Sequence, residues 1–241
     1  MHYKRNPQYI HHNNTISSSL LKEVVFGMED GMVSTMGAIT GIAIGTSDQF
    51  VIILAGFVII SVESVSMAVG SYLSNKSEQA MDNRILEEEK EEIEMYPEEE
   101  KEELIEMYVR DGWPQKLSVE MAEVASKNKD LMLKEMAYRE LNLHPDSQEN
   151  PLKNAVYMGV SYVIGGSIPV VPYLLFNLTT GILTSVSITL IALFILGAVT
   201  TKFTKRNWIK SGLEMLILAS VAAGIGFAIA KLANLYFGVQ V

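Results

Sequence analysis

Hydrophobic residues are concentrated in five long segments, and polar residues separate them. Each segment has roughly 20 residues, the length that an α-helix needs to cross the hydrocarbon core of a bilayer. The five predicted spans are residues 22–46, 50–74, 152–176, 180–201 and 209–236. The pattern therefore predicts an all-α membrane protein with five transmembrane helices.

The polar segment between the second and third spans predicts a helical insert. Residues 76–149 are rich in helix-forming side chains and contain few helix breakers. The run "SEQAMDNRILEEEKEEIEMY" is expected to continue the second span as one helix, and Pro97 is placed to begin the next helix. Two further helices are predicted in "PQKLSVEMAEVASKN" and "KDLMLKEMAYREL".

The insert and the apolar frame carry opposite charge. Residues 76–149 contain 22 acidic and 10 basic side chains, a net charge of −12, whereas the rest of the chain has a net charge of +3. Such an insert repels phosphates, so nucleic acid is not expected as a partner, and cations are the natural ligand. The absence of cysteine excludes disulfides and thiolate metal sites.

Lysines and arginines predict the orientation in the membrane. Apart from Lys231, they lie at or before the start of the first span, in or just after the insert, and in the 202–210 loop, and the other two connections have none. The positive-inside rule then places the N-terminus and the insert in the cytoplasm and the C-terminus on the opposite side. The predicted domains are 1–20, a cytoplasmic tail; 21–75, helices 1 and 2; 76–149, the acidic cytoplasmic domain; and 150–241, helices 3 to 5. The histidines of the N-terminal tail have two interpretations: they belong to a solvated segment, or they bind a metal ion.

The acidic insert has two interpretations. Glu89 with Glu92, and Glu100 with Glu103, place pairs of carboxylates on one helix face. A solvated acidic surface explains them simply, but two such faces opposed to each other would need cations between them. Met136 and Glu140 are also four residues apart, and this methionine suits either core packing or a transition-metal site.

Acidic residues also occur inside two apolar spans. Asp30 lies in the first span, and Glu63 lies one helical turn before Met67 in the second. A structural hydrogen bond or a salt bridge would explain Asp30, yet spans one to four offer no deep lysine or arginine. Carboxylates at membrane depth default to a transport or proton-relay role. The spacing of Gly37, Gly41 and Gly45 favours the close approach of another helix.

Glycines and prolines interrupt the third predicted span. The stretch "GGSIPVVPYLL" contains Gly165, Gly166, Pro169 and Pro172, and it predicts a kinked or locally unwound helix. Broken helices at membrane depth are tolerated where they line a cavity.

Several of these stretches together resemble the vacuolar iron transporter family. The resemblance covers nearly the whole chain after the N-terminal tail, and the order and spacing of the motifs make it specific. Ser71 departs from the family pattern, because many relatives carry an acid there. The matching stretches are "FGMEDGMVSTMGAITGIAIG", "SVESVSMAVGSYLSNKSE", "PEEEKEELIEMYVRDG", "MAYREL", "NAVYMGVSYVIGGSIPVVPYLL" and "SGLEMLILASVAAGIGFAIAKL".

The resemblance implies a homodimer with five transmembrane helices per subunit that exchanges Fe²⁺, and often Mn²⁺, for protons. The implied pathway uses Asp30 and Met67, with Glu63 in support, between the first and second helices of the two subunits. Zn²⁺ and Co²⁺ have overlapping ligand demands. The membrane would be the plasma membrane of a prokaryote or the vacuolar membrane of a eukaryote. The implied cytoplasmic metal ligands are Glu89, Glu92, Glu100, Glu103, Met136 and Glu140.

The leading hypothesis is a metal/proton antiporter that moves Fe²⁺ out of the cytoplasm. The alternative is a membrane-anchored metal buffer or sensor, in which the insert binds metal without transport. An enzyme such as a di-iron oxidase is not expected, because these sites use Glu-x-x-His motifs and the sequence has none.

Overall fold

The computed structural model describes residues 18–46, 48–143, 150–217, 219–221 and 224, which are helical apart from short connections and contain no strand. This confirms the all-α prediction. Residues 208–217 and 219–221 are also helical. The other helices are α1 (Ser18–Gly45), α2 (Gln49–Met95), α3 (Pro97–Arg110), α4 (Gln115–Ser126), α5 (Lys129–Arg139), α6 (Pro151–Leu175) and α7 (Leu178–Thr204).

Three of the described helices, α2, α6 and α7, are long and apolar enough to cross a membrane. Helix α1 coincides with the first predicted span but is not among these three, and Glu29 and Asp30 lower its mean hydropathy. The fifth predicted span, 209–236, lies largely outside the described residues. The count of five transmembrane helices therefore stays a prediction.

The chain folds as two compact units whose boundary falls inside α2. The described residues up to Ser71 and from Leu152 onward form the first unit, and those of Tyr72–Pro151 form the second. Helix α2 is continuous across Ser71, as the sequence predicted.

The second unit contains the helices predicted for the insert. Pro97 occupies the first turn of α3, and the Asn128 side chain accepts hydrogen bonds from the N–H groups of Asp130 and Leu131 at the start of α5. A cap of this kind satisfies two backbone donors that otherwise lack a partner. The hydrophobic core of this unit consists of Ile93, Leu104, Met107, Tyr108, Ala122, Ala125, Met132 and Met136.

In the first unit, α1 and α6 approach closely at glycines. A Cβ added at Gly31 would lie 2.5 Å from the carbonyl oxygen of Tyr162, and one added at Gly165 would collide with the carbonyl of Met28. Cβ atoms added at Gly37 and Gly41 meet nothing within 4 Å. The close contacts between α1 and α6 therefore use other glycines than Gly37 and Gly41.

Of the two alternatives predicted for the third span, local unwinding is wrong, and a kink stays a prediction. Helix α6 is continuous from Pro151 to Leu175 with Pro169 and Pro172 inside it. The Ser185 hydroxyl donates a 2.7 Å hydrogen bond to the Pro169 carbonyl, and the Phe176 N–H donates to the Pro172 carbonyl at 3.0 Å. Each proline removes only its own N–H, which would have donated to the carbonyl of Gly165 or Ile168, so the other helical hydrogen bonds of α6 persist.

Candidate functional site

Three carboxylates from separate helices converge in the second unit. Glu89 comes from α2, Glu100 from the first turn of α3, and Glu140 from the C-terminal cap of α5. One carboxylate oxygen from each can be chosen so that all three lie within 4.8 Å of one another. Oxygens bound to one divalent cation at about 2.0–2.6 Å have separations in this range. Because these three residues could hold a metal ion, we call them the metal centre.

Two of the three side chains in the metal centre are withdrawn from solvent. Glu89 is 3% exposed and Glu100 is 7% exposed, whereas Glu140 is exposed. Oε1 of Glu89 and Oε2 of Glu100 have no hydrogen-bond partner among the described residues. Burying a carboxylate without a counter-charge is strongly unfavourable, so this arrangement suits a bound cation or a retained proton.

The electrostatics of the metal centre favour protonation when no cation is bound. Burial, reinforced by the charges of Glu140 and Glu100, raises the pKa of Glu89 to about 8. Burial likewise raises the pKa of Glu100 and that of Glu140, and nearby glutamates add to both shifts. At neutral pH the metal-free centre therefore holds at least one proton, which a metal ion would have to displace.

Of the other predicted ligands of the insert, the structure places Glu92 and Glu103 near this centre and Met136 in the hydrophobic core. Glu92 and Glu103 are exposed, and their charges act on the carboxylates of both Glu89 and Glu140. Met136 is fully buried in the hydrophobic core, and its carbonyl accepts a 2.8 Å hydrogen bond from the Glu140 N–H. The surroundings of Met136 are those of a residue that packs in the core. Its role as a metal ligand stays a prediction.

The first unit holds the second group of predicted residues. Asp30 is half-buried on α1, Glu63 is exposed on α2, and their carboxylates are close enough for mutual repulsion. Met67 is half-buried one turn after Glu63. Neither acid forms an ion pair within the part of the chain that the structure describes. A salt bridge therefore does not explain Asp30 there.

Sequence reasoning missed a polar contact beside Asp30. The Ser34 hydroxyl donates a 2.6 Å hydrogen bond to the Asp30 carbonyl oxygen and lies 2.6 Å from the hydroxyl of Tyr162. Tyr162 is fully buried on α6, and the charges of Asp30 and Glu63 both act on it. Nothing in the sequence distinguishes Tyr162 from a tyrosine that only packs, because its hydrogen-bond partner Ser34 is 128 positions away in the chain.

The chain matches known proteins over most of its length. The model of the VIT family matches residues 21–231. Vacuolar iron transporter 1 of Arabidopsis thaliana is 28% identical over 216 residues, which cover 89% of this chain and 86% of that protein. The vacuolar iron transporter of Plasmodium berghei is 27% identical over 238 residues, with 94% and 86% covered.

These matches bear on whether the chain is an enzyme. The matched relatives are named as transporters, which confirms the expectation that the chain is not an enzyme. The family match spans the apolar frame and the acidic insert together, as the resemblance of the motifs predicted. The chain belongs to the VIT family.

Proposed function

We propose that this protein is a divalent-metal transporter that moves Fe²⁺ or Mn²⁺ out of the cytoplasm in exchange for protons. Its family and the names of its relatives support metal transport. The observation that carries the proposal is Asp30, a half-buried acid without an ion-pair partner among the described residues of an apolar unit. Placing such a charge at membrane depth costs roughly 3 kcal/mol on insertion scales. A carboxylate with that cost is expected to have a functional role.

Metal capture begins at the second unit. The clustered carboxylates of the insert concentrate cations locally. Glu89, Glu100 and Glu140 supply oxygen ligands, while Glu92 and Glu103 add negative potential. A contribution from the Met136 sulfur would favour a transition metal over Mg²⁺ or Ca²⁺.

Transport itself uses the carboxylates of the first unit. Asp30 and Glu63 supply oxygen ligands, and Met67 supplies sulfur from the turn after Glu63. A carboxylate cannot hold a proton and a metal ion through the same oxygen, so protonation on the acidic side releases the metal. Because protons and metal ions compete for the carboxylates of Asp30 and Glu63, the movement of protons into the cytoplasm is coupled to the movement of metal out of it.

A second copy of the chain is expected to complete this pathway. Glu63 is exposed in the single chain, and the α1 surface at Gly37 and Gly41 is open. Exposed to lipid, the Glu63 carboxylate would be costly, and small residues on a membrane helix favour a close helix–helix contact. These two features support a homodimer in which α1 and α2 of each subunit face the partner.

The protein is an integral membrane protein, and its orientation follows from its basic residues. Lys202, Lys205, Arg206 and Lys210 cluster where α7 ends and the helical residues from 208 onward begin. We infer that this loop, the N-terminus and the second unit lie in the cytoplasm. The C-terminus would then lie in the vacuole of a eukaryotic cell or outside a prokaryotic one.

Flux into proteoliposomes tests the proposal. Vesicles with an acidic interior and outward-facing second units should accumulate Fe²⁺, and dissipating the pH gradient should stop the uptake. Asp30→Asn should abolish uptake, while the matched control Glu29→Gln should retain much more of it, because adjacent helical residues point about 100° apart.

The same experiment separates transport from a membrane-anchored buffer or sensor. The metal centre is formed entirely by residues of the second unit, so binding alone is compatible with either function. A buffer predicts saturable Fe²⁺ binding without entry into the vesicle lumen. That result, in vesicles of verified orientation, would overturn the transport proposal.

A further inference from the structure

Glu140 occupies an electrostatically unfavourable position in the metal centre. It caps the C-terminal end of α5, where the partial negative charge of the helix dipole repels a carboxylate. The charges of Glu103 and Glu92 add further repulsion. Helix α5 has only 11 residues, and a helix of that length is marginal without tertiary contacts. Other contacts must therefore hold this end of α5 near Glu89 and Glu100.

Arg139, the residue before Glu140, makes such contacts. Its Nε donates to Oε2 of Glu135 at 3.1 Å, and its Nη1 pairs with Oδ2 of Asp111, the C-terminal cap of α3. The guanidinium carbon lies 4.3 Å from the centroid of the Tyr108 ring. The Arg139 side chain is only 15% exposed. These contacts attach the last turn of α5 to the C-terminal end of α3.

The arrangement uses the geometry of arginine. The buried Tyr108 hydroxyl donates to Oε2 of Glu135 at 3.0 Å, the same oxygen that accepts from Arg139. A planar guanidinium can stack on the ring while two of its nitrogens reach two carboxylates, and a lysine ammonium cannot reproduce that geometry. The contacts therefore depend on the shape of the side chain as well as on its charge.

We propose that Arg139 is a positioning residue of the metal centre, which holds Glu140 within coordination distance of Glu89 and Glu100. The Arg139 side chain faces the end of α3, and side chains adjacent on a helix point about 100° apart, so Arg139 does not point in the same direction as Glu140. Arg139 therefore acts by fixing the position of Glu140. The inference rests on the proposed role of these three glutamates as metal ligands.

The sign of the effect distinguishes positioning from simple electrostatics. Arg139 is a cation near a cation site, so charge alone predicts that its removal would tighten metal binding. Positioning predicts the opposite, because Glu140 would no longer be held close to the other two ligands. The charge-conserving R139K is equally informative: charge alone predicts no change, whereas positioning predicts weaker binding.

The test measures Mn²⁺ binding to the full-length protein in detergent by calorimetry, with thermal unfolding recorded for every variant. R139Q should weaken binding about 10-fold, the lower end of the effect typical for groups that orient metal ligands. R139K should fall between R139Q and the wild type. The matched control is K129Q, which removes a positive charge at the other end of α5 and breaks an exposed 2.8 Å ion pair with Glu94. It should leave the affinity within about twofold, as expected for a surface pair.

A double-mutant cycle shows whether Arg139 acts through Glu140. In an E140Q background, R139Q should cause little further loss, whereas independent effects would add. If R139Q does not fold, R139K alone and in the E140Q background provides the same comparison. Unchanged or tighter binding by R139K and R139Q, or full additivity with E140Q, would overturn the inference. If the wild type does not bind Mn²⁺, or E140Q binds as the wild type does, the metal centre itself is refuted.

Discussion

Glu89, Glu100 and Glu140 converge within a single chain, whereas Asp30 and Glu63 leave one side of their site open. In the metal centre, three helices bring carboxylate oxygens within 4.8 Å of one another, and two of the side chains are buried. On the first unit, Asp30 is half-buried while Glu63 is exposed. A capture site can be closed and rigid, but a transport site must exchange its ligand with both sides of the membrane. The difference in construction therefore agrees with the two proposed roles.

The largest expected effect comes from separating the two sites by mutation. Asp30→Asn should reduce proton-driven Fe²⁺ uptake to the background of protein-free vesicles, because it removes a transport ligand and a proton acceptor. Mn²⁺ binding at the metal centre should be unchanged, since Asp30 belongs to the other unit. Flux and calorimetry on the same preparation check both statements. Loss of both activities together would contradict separate roles.

Glu89→Gln should affect the opposite site. We expect Mn²⁺ affinity at the metal centre to fall at least about 10-fold, because even groups that only orient ligands contribute that much. Uptake at saturating Fe²⁺ should persist, since Asp30 and Glu63 are intact. The control is Glu91→Gln, an exposed glutamate two residues away on α2, and it should bind Mn²⁺ nearly as the wild type does. Equal losses in the two variants would indicate a diffuse acidic surface instead of a defined centre.

Metal binding at the centre should strengthen as pH rises. Because the pKa of Glu89 is raised to about 8, metal must displace a proton below that pH and gains affinity up to it. Mn²⁺ titrations between pH 6 and pH 8.5 should show this slope, and Glu89→Gln should flatten it. A pH-independent affinity in the wild type would argue against a proton-holding centre.

The stability of the metal-free protein should follow the opposite trend. The folded-state pKa of Glu89 lies above its ordinary value of 4.5, so folding favours the protonated form. Glu89 therefore lowers the unfolding free energy progressively as pH rises from about 4.5 to about 8. Thermal unfolding in the presence of a chelator should show the second unit losing stability over that window. Glu89→Gln should reduce the loss, and an unchanged dependence in that variant would contradict the assignment.

The smallest effect concerns the surface offered to a second copy. Gly41→Ala should leave the fold of the chain intact, because an added Cβ meets nothing within 4 Å, but it should lower the dimer fraction. Gly31→Ala is the contrasting variant, since its Cβ would lie 2.5 Å from the Tyr162 carbonyl oxygen and destabilise the chain itself. Light scattering in detergent and thermal unfolding distinguish the two. An unchanged dimer fraction in Gly41→Ala would place the contact elsewhere.

Local signals in the sequence were sufficient for much of the helical structure. Pro97 begins α3 as predicted, and α2 continues past Ser71 as one helix. The prolines of α6 misled, because each removes only one backbone donor and the helix continues through both. Whether packing keeps such a helix intact is not visible in a local sequence pattern.

The sequence predicted which glutamates form the candidate site, but it did not predict which of them are buried. Helical spacing indicated paired glutamates, yet it did not show that Glu89 and Glu100 are buried while Glu92 and Glu103 are exposed. That difference depends on how α2, α3 and α5 pack. The contact of Arg139 with Tyr108 and Asp111 joins positions about 30 apart and was likewise missed.

The most direct test of metal/proton exchange is the lumen pH of proteoliposomes given an inward Fe²⁺ gradient and no initial pH gradient. If metal entry drives protons out, the lumen should become alkaline at a rate that follows Fe²⁺ uptake, and Asp30→Asn should abolish both signals. Fe²⁺ uptake without any change in lumen pH, in vesicles whose membrane potential is clamped, would contradict the exchange mechanism.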